Sequence, residues 1–349
     1  LAELARREGL FDWVAASAVA ASGGSRFRLF ALVYGACVVV TVVLSNDATA
    51  VVLTPAVAAA VRDAKAAPLP HLFACAFVAN AASFVLPISN PANLVVFAGA
   101  MPALPTWLAT FALPSVLAIV ATFAVLAAVS RDALRGDVAN DVAREALHAG
   151  GKIALAAIGA PAVALLVASS AGAPLGATTF CCGVVFVGVA CLRDRTALGE
   201  VARGVSWTIV LLVASLFVMA SAVESTGLLA FTRHGLNVLA TWPGPLGSVA
   251  AAVAAAIVSN LANNLPAGLV AGASVASLHG HAGLRSAVAI GIDLGPNLSV
   301  TGSLATVLWL AALRREKIEV SAWTFLRTGA LVMPPALLLA AASAGLFAR

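Results

Sequence analysis

Charge is what this 349-residue sequence has least of: Asp, Glu, Lys and Arg together make up 10% of it. A soluble domain carries roughly 25% charged residues, so an ordinary cytosolic enzyme, a nucleic-acid-binding module and a disordered tail are all excluded. Aromatic residues are sparse too, at 6%, and runs alternating apolar with polar residues are few. Both absences exclude an outer-membrane barrel, whose strands alternate and whose rims are aromatic girdles. There is no G-x-x-x-x-G-K-[ST] phosphate loop, so the chain does not hydrolyse ATP by itself. The five cysteines (Cys37, Cys75, Cys181, Cys182 and Cys191) lie in apolar runs without C-x-x-C spacing. They read as buried small hydrophobes rather than ligands. Residues 1–8 offer no apolar core of a signal peptide.

Apolar surface is what the chain does have, with 62% hydrophobic residues and a mean hydropathy of +1.03. In lipid every backbone polar group must be satisfied within its own helix, which predicts an all-α polytopic membrane protein. At about 20 residues per span there is room for roughly ten membrane-embedded helical segments. Apolar stretches fall at 28–44, 48–61, 70–86 with 93–101, 105–130, 152–170, 174–192, 205–222, 246–258, 262–276, 284–294 with 298–312, and 324–348. Two shorter stretches, 11–22 and 225–240, suit helices lying in the interface. One hydrophilic connector, 131–152, is expected to be a solvated helix joining two halves. The expected organisation is therefore 1–130, a connector 131–151, and 152–349.

Comparing the polar interruptions reveals an internal duplication. Gly9-Leu10-Phe11 matches Gly227-Leu228-Leu229; Ser45-Asn46-Asp47 with Pro55 matches Ser259-Asn260 and Asn263-Asn264 with Pro266; Asn90-Pro91-Ala92-Asn93 matches Gly295-Pro296-Asn297. The offsets are 218, 214 and about 205. Apolar arms too short for a full crossing, joined at a polar tip, predict a re-entrant hairpin in each half. Pro and Gly inside the next apolar segment predict a broken helix, tolerated in a membrane only where it lines a cavity. Matching interrupted segments in two halves point to the midplane site of an inverted-repeat transporter. The second half has three apolar helices before its interfacial helix and the first half has none. That asymmetry predicts a chain lacking three helices, roughly 60–75 residues at about 20 per span.

Basic residues test the topology. Segments 1–28, 62–71, 131–152, 193–204 and 313–327 hold 17 of the 20 Lys and Arg, leaving only Arg233, Arg285 and Arg349 elsewhere. Positive charge favours cytoplasmic loops, so this face is expected to be cytoplasmic and the protein a multi-pass inner-membrane protein.

Of fifteen acidic residues only Asp47 and Asp293 lie in apolar surroundings, both at polar breaks. An ionisable group at membrane depth costs at least ~2.5–3.5 kcal/mol, and burial away from water favours the neutral carboxyl, as a proton carrier needs. Asp47 and Asp293 are the predicted proton-coupling residues. The remaining polar groups at the breaks are uncharged: Ser45, Asn46, Thr49, Asn90, Asn93, Asn260, Asn263, Asn264, Asn297 and Thr301 form the predicted substrate site, with Ser83, Ser89 and Ser299 near them. With no Arg or Lys among them, the set suits a small neutral polyol-like solute or a cation rather than a di- or tricarboxylate. The histidines (His71, His148, His234, His279 and His281) read as solvated loop residues, so no metal site is expected.

Several of these motifs resemble a known family. The run Gly291-Ile292-Asp293-Leu294-Gly295-Pro296-Asn297, continuing through Thr301-Gly302-Ser303 to Trp309, closely resembles the ArsB-type arsenite efflux permeases, as do Ser45-Asn46-Asp47 with Thr54-Pro55 and Asn264-Leu265-Pro266. The resemblance runs essentially from residue 1 to 349. It implies export of arsenite and antimonite in exchange for protons, sometimes with a cytosolic ATPase partner, and it implies no cofactor. Some members have Cys at the position of Ile292 and Lys at that of Asn297, so neither a thiol nor an ammonium belongs to this site. Pro91-Ala92 is an insertion relative to the family's Ser-Asn-Leu-X-Asn pattern. Two alternatives stand beside this reading: a Na⁺/H⁺ antiporter or Na⁺-coupled anion transporter of the same superfamily, and a truncated membrane protein that transports nothing.

Overall fold

The computed structural model describes all residues except 98–100, 140–145, 172, 174, 205–206, 208–210, 212–213, 216–217, 219–226, 277–281 and 348–349. Every regular element among the described residues is helical, and four helices are long and apolar enough to cross a membrane. The first half begins with α1 (Ala2–Arg7), α2 (Leu10–Ala21) and α3 (Arg26–Val43), whose cap Ser25 accepts the Arg28 amide. After a turn at Leu44, α4 (Asn46–Ala48) runs through a widened π turn (Thr49–Leu53) into α5 (Thr54–Asp63). The widening has a local cause. Pro55 has no N–H to offer the preceding turn, and the Thr54 hydroxyl takes the Thr49 carbonyl at 2.9 Å.

Next come α6 (Pro68–Ala81), a break with one 3₁₀ turn (Pro87–Ser89), α7 (Pro91–Val96) and α8 (Leu104–Val129). A middle group follows: α9 (Ala149–Ser170), α10 (Leu175–Arg193) and α11 (Ala197–Gly204). The last part has α12 (Leu228–Ala240), α13 (Leu246–Ala262), α14 (Asn264–Val275), α15 (Ala282–Leu294), two 3₁₀ turns (Gly295–Asn297 and Val300–Gly302), α16 (Leu304–Arg315) and α17 (Ala322–Phe347). The helix expected over 205–222 lies mostly outside the described residues, as do His279 and His281.

The same pairings occur on both sides of the middle group. Helix α3 packs on α6 as α13 packs on α15; α2 packs on α5 as α12 packs on α14; α5 packs on α6 as α14 packs on α15; α6 packs on α8 as α15 packs on α17. Two crossings then join the halves: α14 lies on α7, and α16 lies on the π turn and α5. Helices α8 and α17 pack along each other. The crossing of α14 on α7 is close, since a Cβ on Gly272 would stand 2.7 Å from the Val96 Cα. Two apolar cores result. One gathers Phe30, Leu53, Phe77, Trp309 and Phe325; the other gathers Phe84, Trp107, Phe111, Ile290 and Leu337.

All five basic segments meet on one face. Val138 donates its amide to Gly24, Ala139 donates to Ala64, and Arg26 donates to the Asp137 carbonyl. Arg62 pairs with Glu316 at 3.3 Å, and Arg7 with Glu200 at 2.6 Å and with Asp194. The Thr196 amide and hydroxyl, with Arg7, hold the Asp194 carboxyl below its ordinary range. The connector departs from expectation here. Residues 131–136 are turns and bends, and Asp137 forms an isolated β-bridge with Ser25. Arg26 and the amides of Val138 and Ala139 find their partners across the loop rather than along a helix.

Candidate functional site

Both hairpin turns and both helix breaks come together. A small cleft is lined by Asn46 and Asp47 of the first hairpin, Asn90 and Pro91 of the first break, Asn264 and Leu265 of the second hairpin, and Leu304 and Ala305 after the second break. Its free interior is about 10 Å³, room for about one water molecule. No Lys, Arg or His lines it.

Local sequence explains how each wall is made. Ser45 is extended and its hydroxyl accepts the Ala48 amide, starting α4 so that Asn46 and Asp47 stand at its first turn. Asn263 plays the same part in the second hairpin: at φ +71° it ends α13, and its side chain accepts the Leu265 amide. With ψ at 150° the residue lies outside the left-handed helical region, in a conformation otherwise left to glycine. The second turn is therefore at Asn263, 218 residues after Ser45, the same offset as between Gly9 and Gly227, which cap α2 and α12 with positive φ. This corrects the register in which Ser259-Asn260 forms the tip. Those two stay in α13 because their side chains bond back to the Ala256 carbonyl at 2.9 and 2.7 Å.

The breaks free backbone carbonyls, and side chains answer them. Asn93 donates to Ser83 O at 2.9 Å and Trp107 to Phe84 O at 3.1 Å, while Ser89 within the break reaches Val42 O at the end of α3 at 2.9 Å. On the other side Asn260 donates to Gly295 O at 2.7 Å and accepts from the Ser299 hydroxyl at 2.6 Å, while Asn263 donates to Thr301 O. Broken backbone at membrane depth survives only with such partners.

Behind the cleft lies a buried polar network. Asn90 accepts the Ala92 amide through Oδ1 at 3.0 Å, capping α7, and that bond fixes its Nδ2 toward Asp293. Asp293 Oδ1 receives this N–H at 2.8 Å, and Oδ2 stands 2.7 Å from the Ser83 hydroxyl. Asp293 is fully buried. A matching arrangement involves Asn80 at the end of α6, also fully buried. Its Oδ1 lies 3.5 Å from the hydroxyl of Ser303, which caps α16, and its Nδ2 donates to Asn297 Oδ1 at 2.9 Å. Asp293 follows Asn80 by 213 residues and Ser303 follows Asn90 by the same 213.

The predicted residues thus divide. Asn46, Asp47, Asn90 and Asn264 line the cleft. Among the described residues nothing hydrogen-bonds the Asp47 carboxyl or the buried Oδ1 of Asn264. Asp293 sits behind Asn90. Ser45, Asn93, Asn260 and Asn263 hold the turns and breaks in shape, and Asn297 ties α6 to the second break through Asn80 and Phe77 O. Thr49 pairs with Thr41 at 2.8 Å, and Thr301 is exposed. Sequence reading missed Asn80 and Ser303. An offset of 213, five residues short of the 218 between the hairpin turns, would have found both, since it pairs Asn80 with Asp293 and Asn90 with Ser303.

Two expectations are corrected. His71 is buried in α6 rather than solvated; it bonds the Ala67 carbonyl and meets the Phe30 ring edge-on. Cys37 and Cys75 are buried with their sulfurs 3.6 Å apart, but Cys181 is exposed, on the outer face of an apolar helix.

Comparison with known proteins sets the chain among membrane transporters. The chain is 28% identical to the arsenical pump membrane protein of Escherichia coli (strain K12) and 29% identical to that of Yersinia enterocolitica. Each match covers 97% of this chain and 82% of the relative. It is 25% identical to an uncharacterized transporter of Mycobacterium tuberculosis, over 96% of this chain and 81% of the relative. The family described as citrate transporter matches residues 1–292. A match of that extent covers the cleft's first hairpin, the second hairpin and α15 up to the residue before Asp293, so the chain belongs to the citrate transporter family and is an integral membrane transporter rather than an enzyme.

Proposed function

We propose that the protein exports arsenite and antimonite from the cytoplasm in exchange for protons. The observation that carries this is the cleft itself: amides, a carboxyl and apolar walls, with no cation among its lining residues. A citrate-like anion needs positive charge to replace its lost water. A neutral trihydroxide needs only hydrogen-bond donors and acceptors, which Asn46, Asn90 and Asn264 supply. Bonds of that kind are weak enough for release, as conduction requires. The names of the arsenical pump relatives support the same substrate class.

In this reading 1–130 and 152–349 are inverted repeats joined by 131–151, and the hairpins α3–α5 and α13–α14 are re-entrant from opposite sides. Asp293 carries the proton, and Asp47 in the cleft shares the task. The face where the basic segments meet is cytoplasmic in an inner membrane, and a cytosolic ATPase docks there if one is used. With space for about one water, the cleft must widen to admit substrate. Relative movement of the α14–α7 and α16–α5 crossings would open it.

Sodium is the second reading, favoured by the unpartnered Asn264 Oδ1 beside the Asp47 carboxyl, both oxygen ligands of the kind hard cations take. Arsenite uptake into everted vesicles separates the two. Uptake driven by an imposed proton gradient and indifferent to sodium is the expected result; uptake that requires a sodium gradient would overturn proton exchange.

A further inference from the structure

We infer that Ser83 is a two-position proton partner of Asp293, its hydroxyl donating to the carboxylate when Asp293 is ionised and turning to the Asn80 carbonyl when Asp293 is protonated. The inference rests on the reading of Asp293 as the proton carrier and adds the group that lets it change charge in place.

Hydrogen counting carries the argument. A serine hydroxyl has one hydrogen. Ser83 Oγ lies 2.7 Å from Asp293 Oδ2 and 2.8 Å from Asn80 O, two acceptors that one hydrogen cannot serve together. Asp293 Oδ1 is occupied by the Asn90 N–H, whose direction is fixed by the Ala92 bond. An arriving proton therefore takes Oδ2 and points at Ser83 Oγ. The serine's own hydrogen then swings to Asn80 O. One proton is gained, one hydroxyl rotates, and no other bond is made or broken. In both states every group keeps a partner, so neither leaves an unsatisfied buried polar group, which costs about 1–3 kcal/mol.

Charges nearby do not do this work. Helices α7, α13 and α14 and the Gly295–Asn297 turn, all packed on α15, contain no titratable side chain. On α6 there are His71, bonded to Ala67 O, and Cys75, against Cys37. On α17 there is the exposed Arg327, and on α15 itself Arg285, stacked 4.5 Å over the Phe97 ring. Asp47 lies across the cleft, sharing Asn90 as a neighbour. The ionised carboxyl is thus held by the Ser83 and Asn90 hydrogen bonds.

Because Asn80 ends α6 and Asp293 ends α15, the rotation registers a protonation event on one half as a hydrogen bond on the other. Ser83 is a positioning residue in this scheme.

The test uses purified protein in proteoliposomes, with proton-driven arsenite transport followed from pH 5 to 9, and infrared spectra of ¹³C-aspartate-labelled protein. Ser83→Ala removes the donor to the carboxylate, and hydrogen bonds to the charged form favour it. The midpoint of the pH profile is expected to move up by about one unit, and the protonated-carboxyl band to shift to higher frequency. Ser83→Thr keeps the hydroxyl and should restore both. Ser83→Cys, a weaker donor, gives the same readout should Ser83→Ala fail to fold. A wild-type midpoint and band in Ser83→Ala or Ser83→Cys, with transport abolished in Asp293→Asn, overturns the role of Ser83 alone. Intact proton-driven transport in Asp293→Asn overturns the reading of Asp293, and this inference with it.

Discussion

At the end of α15, Asp293 meets Asn90, the cap of α7; at the end of α6, Asn80 meets Ser303, the cap of α16. Each pair joins a helix end of one half to a helix start of the other, at one shared offset. The difference lies in a single functional group. Asn80 has a donor and an acceptor, so it bonds Asn297 on one side and faces Ser303 on the other without ever carrying charge. An ionised Asp293 has only acceptors, and its neighbours Ser83 and Asn90 are donors arranged for it. One pair is a fixed joint. The other, on the proposed reading, is the same joint made titratable.

Breaking that difference should have the largest effect. Asp293→Asn keeps the shape and can still present an oxygen to Asn90, so the protein should insert and purify as wild type. Proton-driven arsenite uptake should nevertheless fall to the level of empty vesicles. Moving the charge is the sharper experiment. Asn80→Asp loses the donor to Asn297 Oδ1 and sets oxygens face to face, which is expected to lower stability by about 1–3 kcal/mol, measured as thermal unfolding in detergent. Combining Asn80→Asp with Asp293→Asn restores one carboxyl to the network. Recovery of any proton-driven transport there would show that the two positions are interchangeable; none is expected, because the Ser303 hydroxyl that faces Asn80 Oδ1 stands 3.5 Å away and pairs with the Thr306 hydroxyl.

The crossings between halves offer a milder test. Helix α14 reaches α7 through Gly272, whereas neither α16 nor the π turn it packs on contains a glycine. Gly272→Leu should therefore force α14 off Val96 at a cost of about 1–3 kcal/mol and slow transport while leaving its pH profile in place. The smallest effect is expected from the cysteines, which stand apart from both pairs. Replacing all five by Ala or Ser should cost about 1 kcal/mol for each of the buried Cys37 and Cys75, seen in unfolding temperature, and leave arsenite transport unchanged.

Much of this was legible in the chain itself. Paucity of charge and the length of the apolar runs require helices in lipid, and Asp47 and Asp293 stand out because each is a carboxyl in apolar sequence. Gly9 and Gly227 mark equivalent helix starts. The register between the halves was less legible, since Ser259-Asn260 looks like Ser45-Asn46 on paper. Whether such a pair opens a turn or bonds back to the preceding carbonyls depends on where the chain reverses, and the positive φ of Asn263 decides that.

Composition and pattern determined that this protein is a helical membrane protein with polar breaks in matching places, because lipid leaves the backbone no other way to satisfy its polar groups. The tertiary structure alone decided which polar residues face the cleft and which only mend the breaks. It also placed Asn80 and Ser83 around Asp293. Hydrogen bonds between residues more than 200 apart in sequence, such as Asn80 to Asn297 and Ser83 to Asp293, depend on how α6 and α15 meet, and no local pattern in the chain encodes that meeting.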